Sequence, residues 1–302
     1  MIALFGEISM TANDRLYTLL TIRDWIRFAV SAFRKNNLFY GHGMDNALDE
    51  AVFLILHTLA LPHDAPGALY DAVLTMEERQ AVETIIYKRI DSRKPAAYLT
   101  QEAFFMGLPF YVDERVLIPR SPLAELIQKN FAPWIEEQRV HRILDLCTGS
   151  GCIAVACAQI FPEAHIIAAD ISPEALEVAR INIEKYKLAS QITLIESNVF
   201  DAIPAQKFDI IISNPPYVDK SDMENLPPEY HHEPRLALAA GSDGLEVIKK
   251  ILTNSTKYLS KHGLLVVEAG NSAAALVQQF PQLPFTWLEF EQGDSEVFLI
   301  QH

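Results

Sequence analysis

The sequence predicts an α/β protein: a mostly parallel, seven-stranded sheet covered by helices on both faces. A small N-terminal helical domain precedes it, joined by a β-hairpin. Three observations carry this reading. From Arg142 onward, short apolar runs rich in β-branched residues alternate with helical segments. The turn Gly149-Ser150-Gly151 joins one such run to a helix. Asn214-Pro215-Pro216-Tyr217 follows the apolar run 208–213, just past a strand's carboxyl end, where open α/β sheets bind ligands. At 302 residues and 50% hydrophobic, the chain can bury one large core or two modest ones.

The elements follow in order. Residues 14–33 place Leu16, Leu19, Leu20, Trp25, Ile26, Ala29, Val30 and Phe33 at helical spacing, which predicts one helix. A second helix is predicted over 47–59, ended by Pro62 to Pro66. A third runs from Met76 to about Arg89, with Thr75 as its cap and Glu77 and Glu78 in its first turn. Pro95 closes the helical unit. Residues 98–105, the turn Met106-Gly107 and residues 108–112 read as a hairpin. Pro119 and Pro122 mark the entry to the larger domain. The organisation is therefore 1–95 helical domain, 96–118 hairpin linker and 119–302 α/β domain. Strands are expected at 143–146, 165–169, 191–195, 208–213, 263–269, 285–290 and 296–300. The last two have no helix between them and should pair antiparallel at one edge.

Gly149-x-Gly151-x-x-Ala154, with Asp170 roughly 20 residues further on, satisfies a dinucleotide fingerprint. Two features favour a different ligand. Asp145 adds a carboxylate at the strand end beside the loop, which opposes a pyrophosphate and suits a cationic ligand such as S-adenosylmethionine. Asn214 to Tyr217 is not required for hydride transfer. Asn214 offers a carbonyl acceptor and an NH2 group. The two prolines fix φ and set carbonyl directions. Tyr217 offers a flat face. Together they suit a planar NH2 group.

The runs Asp145-Leu-Cys-Thr-Gly-Ser-Gly151, Asp170 and Asn214 to Tyr217 resemble the class I methyltransferases that modify glutamine side-chain amides in translation proteins. Val116-Leu-Ile-Pro-Arg-Ser-Pro122, Glu233-Pro234, 236–244 and 284–290 are similar to the branch that acts on large-subunit ribosomal protein L-three. The likeness extends from about Asp45 to the end. The release-factor branch usually reads Pro-Arg-Pro where this chain reads Pro119-Arg120-Ser121. Asn198 stands where the family usually has Asp, and its carbonyl can still accept from an adenine amino group. The resemblance implies a Rossmann-like class I fold, S-adenosylmethionine as cofactor and a basic ribosomal protein as partner. It implies a cofactor site of Asp145, Cys147, Thr148, Gly149, Ser150, Gly151, Asp170, Asn198, Val199 and Asn214. It implies that Asn214, Pro215, Pro216 and Tyr217 hold the reacting amide, and that residues 1–95 recognise the substrate. Glutamine methylation of release factors and amino methylation of adenine are the alternative enzyme readings. A cofactor-bound assembly factor is the non-catalytic one.

The net charge of −14 falls almost entirely after residue 95. An acidic body disfavours sequence-specific nucleic-acid binding and favours basic partners through complementary fields. Simple solubility explains the charge equally well. The acidic stretch 219–233 reads either as a solvated loop or as a contact surface beside the substrate entrance. Arg120 reads either as an active-site residue or as one half of a structural ion pair. His231-His232 lack companion ligands and read as a solvated loop, so no metal is expected. Cys147, Cys152 and Cys157 have neither metal spacing nor paired thiols and read as small buried residues. The apolar run 51–61 is too short to span a bilayer. The N-terminus has no secretion-signal pattern, so the expected location is the cytoplasm.

Overall fold

The structure, a computed structural model, describes residues 12–291 and 296–302. The secretion-signal reading falls on residues 1–11, outside the described residues. The chain forms two compact units, Met1–Thr100 and Gln101–His302.

The first unit is helical: α1 (Ala12–Thr18), α2 (Ile22–Lys35), α3 (Ala47–Thr58), α4 (Met76–Ser92) and α5 (Ala96–Thr100). Residues 14–33 form two helices rather than one. Thr21 is extended, its hydroxyl accepts from the Asp24 amide, and the Asp24 carboxylate accepts from the amides of Thr21 and Leu20. This capping box restarts the helix, and Thr21 also bridges to Val73. The apolar spacing continues across the break, which is why periodicity alone joins the two helices. Trp25, Phe33, Leu54, Ile55 and Leu56 fill the core. Within it Arg89 donates to Glu50 at 2.7 Å and to the Phe39 carbonyl at 3.1 Å.

Tyr98 does not enter the hairpin. Pro95 starts a short helical turn instead: the amides of Tyr98 and Leu99 return to its carbonyl, and the Thr100 hydroxyl bonds back to Ala96. The hairpin is shorter than expected, β1 (Glu102–Phe105) and β2 (Leu108–Tyr111). Met106 and Gly107 both take positive φ between Phe105 and Leu108, as a two-residue hairpin turn requires.

The second unit continues with α6 (Leu123–Gln128), β3 (Arg142–Leu146), α7 (Cys152–Ile160), β4 (His165–Asp170), α8 (Pro173–Lys185), β5 (Ile192–Glu196) and β6 (Phe208–Ser213). It ends with α9 (Lys220–Asn225), α10 (Glu246–Tyr258), β7 (Leu259–Glu268), α11 (Ala273–Gln279), β8 (Thr286–Leu288) and β9 (Val297–Gln301). The seven-stranded sheet has the order β5-β4-β3-β6-β7-β9-β8. β3 to β7 are parallel; β9 pairs antiparallel with β7, and β8 with β9 at the edge. Side chains alternate between two cores. Ile143, Ile210, Ile212, Leu264 and Val266 pack with α6 and α7 on one face. Leu144, Leu146, Ile211, Leu265 and Val267 pack with α10 and α11 on the other. β7 starts earlier than residue 263, with a register shift opposite Phe208 and Ile210. No helix among the described residues is long and apolar enough to cross a membrane.

The buried Arg89–Glu50 pair yields a stability test. Arg89→Ala removes the buried guanidinium that donates to Glu50 at 2.7 Å and should cost about 3–5 kcal/mol. Arg89→Met with Glu50→Leu should cost clearly less. Urea titration of both variants checks this, and equal losses would contradict it.

Candidate functional site

One cavity of about 280 Å³ opens at the carboxyl ends of β3, β4, β5 and β6. Cys147 to Ser150 line it after β3, Asp170 after β4, Asn198 and Val199 after β5, and Asn214 and Pro216 after β6. The sequence-predicted residues Cys147, Thr148, Gly149, Ser150, Asp170, Asn198, Val199, Asn214 and Pro216 therefore share one wall. Asp145, Gly151, Pro215 and Tyr217 do not line it.

The loop after β3 is shaped by two carboxylates. Asp170 Oδ2 accepts from the Gly149 amide at 2.9 Å, and Oδ1 from the Ser172 amide at 3.0 Å. Burial raises its pKa, and those two amides oppose the rise. Asp145 is fully buried beneath the loop. Its Oδ2 accepts from the Thr148 hydroxyl at 2.5 Å. Burial pushes its pKa up to about 7, and Asp170 adds to the shift. Asp145 thus acts on the cavity through Thr148, rather than as the exposed anion its position in the sequence suggests. The two glycines differ. At Gly149 (φ +53) a Cβ would meet open space, so bare backbone faces the cavity. At Gly151 (φ +77) a Cβ would lie 3.2 Å from Ala179 Cβ, so this glycine serves the packing of α7 on α8.

The Asn214 side-chain amide has no hydrogen-bond partner among the described residues, while it lines the cavity. Tyr217 is committed elsewhere: its hydroxyl donates to Glu268 Oε1 at 2.9 Å. Arg120 forms the structural ion pair that one of its sequence readings expected, at a place on the cavity wall. It lines the cavity, and it forms a fork on Glu233 at 2.5 and 2.7 Å. Burial disfavours the charge, yet Glu233 holds the guanidinium above its ordinary pKa. Glu229 and Glu233 are buried, so the acidic stretch is less exposed than its composition suggests. The Cys147 thiol is pushed well up by burial and by Asp170, and burial pushes Cys152 up to about 12.

Sequence reasoning passed over Glu246 and Lys250, which also line the cavity, and the buried Glu268, and it gave no site role to Leu236 on the cavity wall. Only Glu268 had a readable signal, a carboxylate ending a buried apolar strand as Asp170 does. Lys250 Nζ lies 3.5 Å from Asn198 Oδ1.

A Rossmann-like sheet with a glycine loop, a strand-end Asp and a strand-end Asn-Pro-Pro-Tyr turn is the architecture of a class I methyltransferase. The methyltransferase small domain family matches residues 126–228. The ribosomal protein uL3 glutamine methyltransferase of Neisseria meningitidis serogroup A is 50% identical over 289 residues, 95% of each chain. Its namesake from Francisella tularensis subsp. tularensis is 46% identical over 291 residues, 96% of this chain and 93% of its own. The hMettl16 catalytic domain in complex with MAT2A 3'UTR hairpin 6 shares the fold: TM-score 0.51, 18% identity, covering 77% of this chain and 85% of that one. The protein is an S-adenosylmethionine-dependent methyltransferase. It belongs to the ribosomal protein uL3 glutamine methyltransferase family.

Asp145 makes a pH prediction. A carboxyl whose folded-state pKa lies above its unfolded value keeps a proton that the unfolded chain has lost. Stability therefore falls as pH rises between the two values, here from 3.8 to about 7. Asp145→Asn keeps an acceptor for Thr148 and removes this penalty. The Tm of the variant relative to wild type should rise across that window and level off above it. A pH-independent difference would refute the assignment.

Proposed function

We propose that this protein methylates the side-chain amide nitrogen of a glutamine in ribosomal protein uL3, and that Asn214 orients that amide. The observation that carries the second part is the unpartnered Asn214 amide on the cavity wall, beside the rigid Pro216. The names of the two relatives support the substrate.

The cavity suits the methyl donor. Gly149 leaves backbone uncovered at its wall, and Asp170 presents a carboxylate there. Asp170 would hold the ribose hydroxyls, Cys147 to Ser150 would face the methionine part, and Asn198 and Val199 would border the adenine. Gly151 and Asp145 support that wall from behind. When bound, the sulfonium supplies an activated methyl group. The protein's task is then to aim a weak nucleophile. An amide nitrogen has its lone pair delocalised into the carbonyl. Asn214 Oδ1 and the Pro215 carbonyl would accept its two hydrogens. This favours the pyramidal, partly positive nitrogen of the transition state and fixes its approach. The proton leaves to solvent after transfer. The helical residues 1–95 would recognise the substrate protein, and the acidic second unit would steer it.

Asn214→Ala should keep methyl-donor binding and lose most methyl transfer. Asp170→Ala should weaken donor affinity at least roughly tenfold, the value of about 1.5–3 kcal/mol for hydrogen bonds to a charged acceptor. Calorimetry and labelled-methyl transfer to purified uL3, followed by peptide mapping, check both. Near-normal turnover in Asn214→Ala would remove the amide-holding role. Added salt should slow the wild-type reaction. Labelling of release factors instead of uL3 would move the enzyme to the sister branch, and labelling of adenine would overturn the substrate class.

A further inference from the structure

The Asn214–Tyr217 turn and the Ile118–Ser121 segment are tied to one carboxylate. Glu268 ends β7 and is 2% exposed. Its Oε1 accepts from Tyr217 Oη at 2.9 Å, and its Oε2 accepts a short hydrogen bond from Ser121 Oγ. Asn214 and Pro216 line the cavity on one side of this link, and Pro119 to Ser121 on the other. Glu268 itself does not line the cavity.

Both ends of the link are otherwise held tightly. The Ser272 hydroxyl donates to the Tyr217 carbonyl at 2.8 Å. The Tyr217 ring lies against Gly270, where an added Cβ would come within 2.4 Å of ring carbon Cε2. Ser121 Oγ accepts from the Leu123 amide at 3.2 Å. Residues 118–121 are anchored a second time by Glu233, which accepts from the Ile118 amide at 3.1 Å and from the Arg120 fork. Between Tyr217 and Asn214 stand two prolines with fixed φ. A displacement of the ring therefore passes along a short, stiff stretch of backbone to the Asn214 amide.

Resting on the reading of Asn214 given above, we infer that Glu268 is a positioning residue for methyl transfer. It sets the orientation of the Asn214 amide through Tyr217, and it registers that amide against the opposite wall through Ser121. A merely structural carboxylate would support stability. A positioning one also governs turnover, because misplacement of a reacting group by a fraction of an ångström is expressed in kcat.

The test uses the full-length enzyme. Glu268→Gln keeps the shape but replaces one acceptor oxygen with an NH2 group. Tyr217→Phe removes a single hydroxyl, and it carries the test should Glu268→Gln fold poorly. Each is expected to lower kcat on uL3 by about tenfold or more, with the KM for methyl donor within about threefold of wild type. The double variant should be no slower than the slower single variant, since both break one link. Amide hydrogen exchange in the substrate-free enzyme gives a readout that needs no turnover: Glu268→Gln should speed exchange in residues 120–121 and 217–218 together. Values of kcat within about twofold of wild type, multiplicative losses in the double variant, or exchange changes confined to the neighbours of residue 268 would each overturn the inference. Wild-type enzyme that fails to label uL3 would sink the substrate reading instead, and the exchange result would still decide the link.

Discussion

Taking a carboxylate out of water is costly unless donors replace its hydration, and that constraint shapes this sheet's functional end. Two strands end in such a group, and a third carries one at its penultimate position. Asp145 draws the Thr148 hydroxyl down to it; Asp170 collects the amides of Gly149 and Ser172; Glu268 collects the hydroxyls of Ser121 and Tyr217. Each set of donors belongs to a loop that lines the cavity or adjoins it. The loops are thus held by the need to satisfy the strand ends, as well as by their own turn chemistry. Asp209 repeats the device at the opposite end, where it accepts from the amides of His141 and Arg142 and from the Ser260 hydroxyl.

Much of this was legible in the sequence because its signals are local. β-branched runs mark the parallel strands, and a glycine turn at a strand's end marks the ligand loop. The strand-end Asn214 and Asp170 are read the same way, and both line the cavity. What was not legible depends on contacts remote in sequence or on competing local geometry. The capping box at Thr21 splits a run whose apolar spacing never falters. Pro95 nucleates a turn in a segment that reads as strand. The fate of Tyr217 turns on Glu268 and Gly270, more than fifty residues away.

Charge composition misleads for the same reason. Five acids in 219–233 suggest an exposed anionic rim. Two of them, Glu229 and Glu233, are buried, and Glu233 is matched to Arg120. A buried, bidentate pair of this kind contributes little to the external field and much to local geometry. The external anionic field of this stretch therefore comes from the acids outside that pair, among them the exposed or half-exposed Asp219, Asp222 and Glu224.

The same pairing limits the chemistry the cavity can perform. Of its ionisable groups, Arg120 is committed to Glu233, Arg115 to Asp113, and Asp170 to two backbone amides. Glu246 and Lys250 lie 3.8 Å apart as a pair. The thiols of Cys147 and Cys152 are held protonated by burial. A nucleophile that needed deprotonation before attack would find its candidate bases here already engaged. An amide nitrogen needs none, because its proton becomes acidic only once the methyl group has arrived. What it needs is direction, which under the proposed reading would come from the Asn214 amide, a group on that wall with no hydrogen-bond partner among the described residues. The distribution of engaged charges and one unengaged neutral amide thus favours a reaction governed by orientation over one governed by proton abstraction.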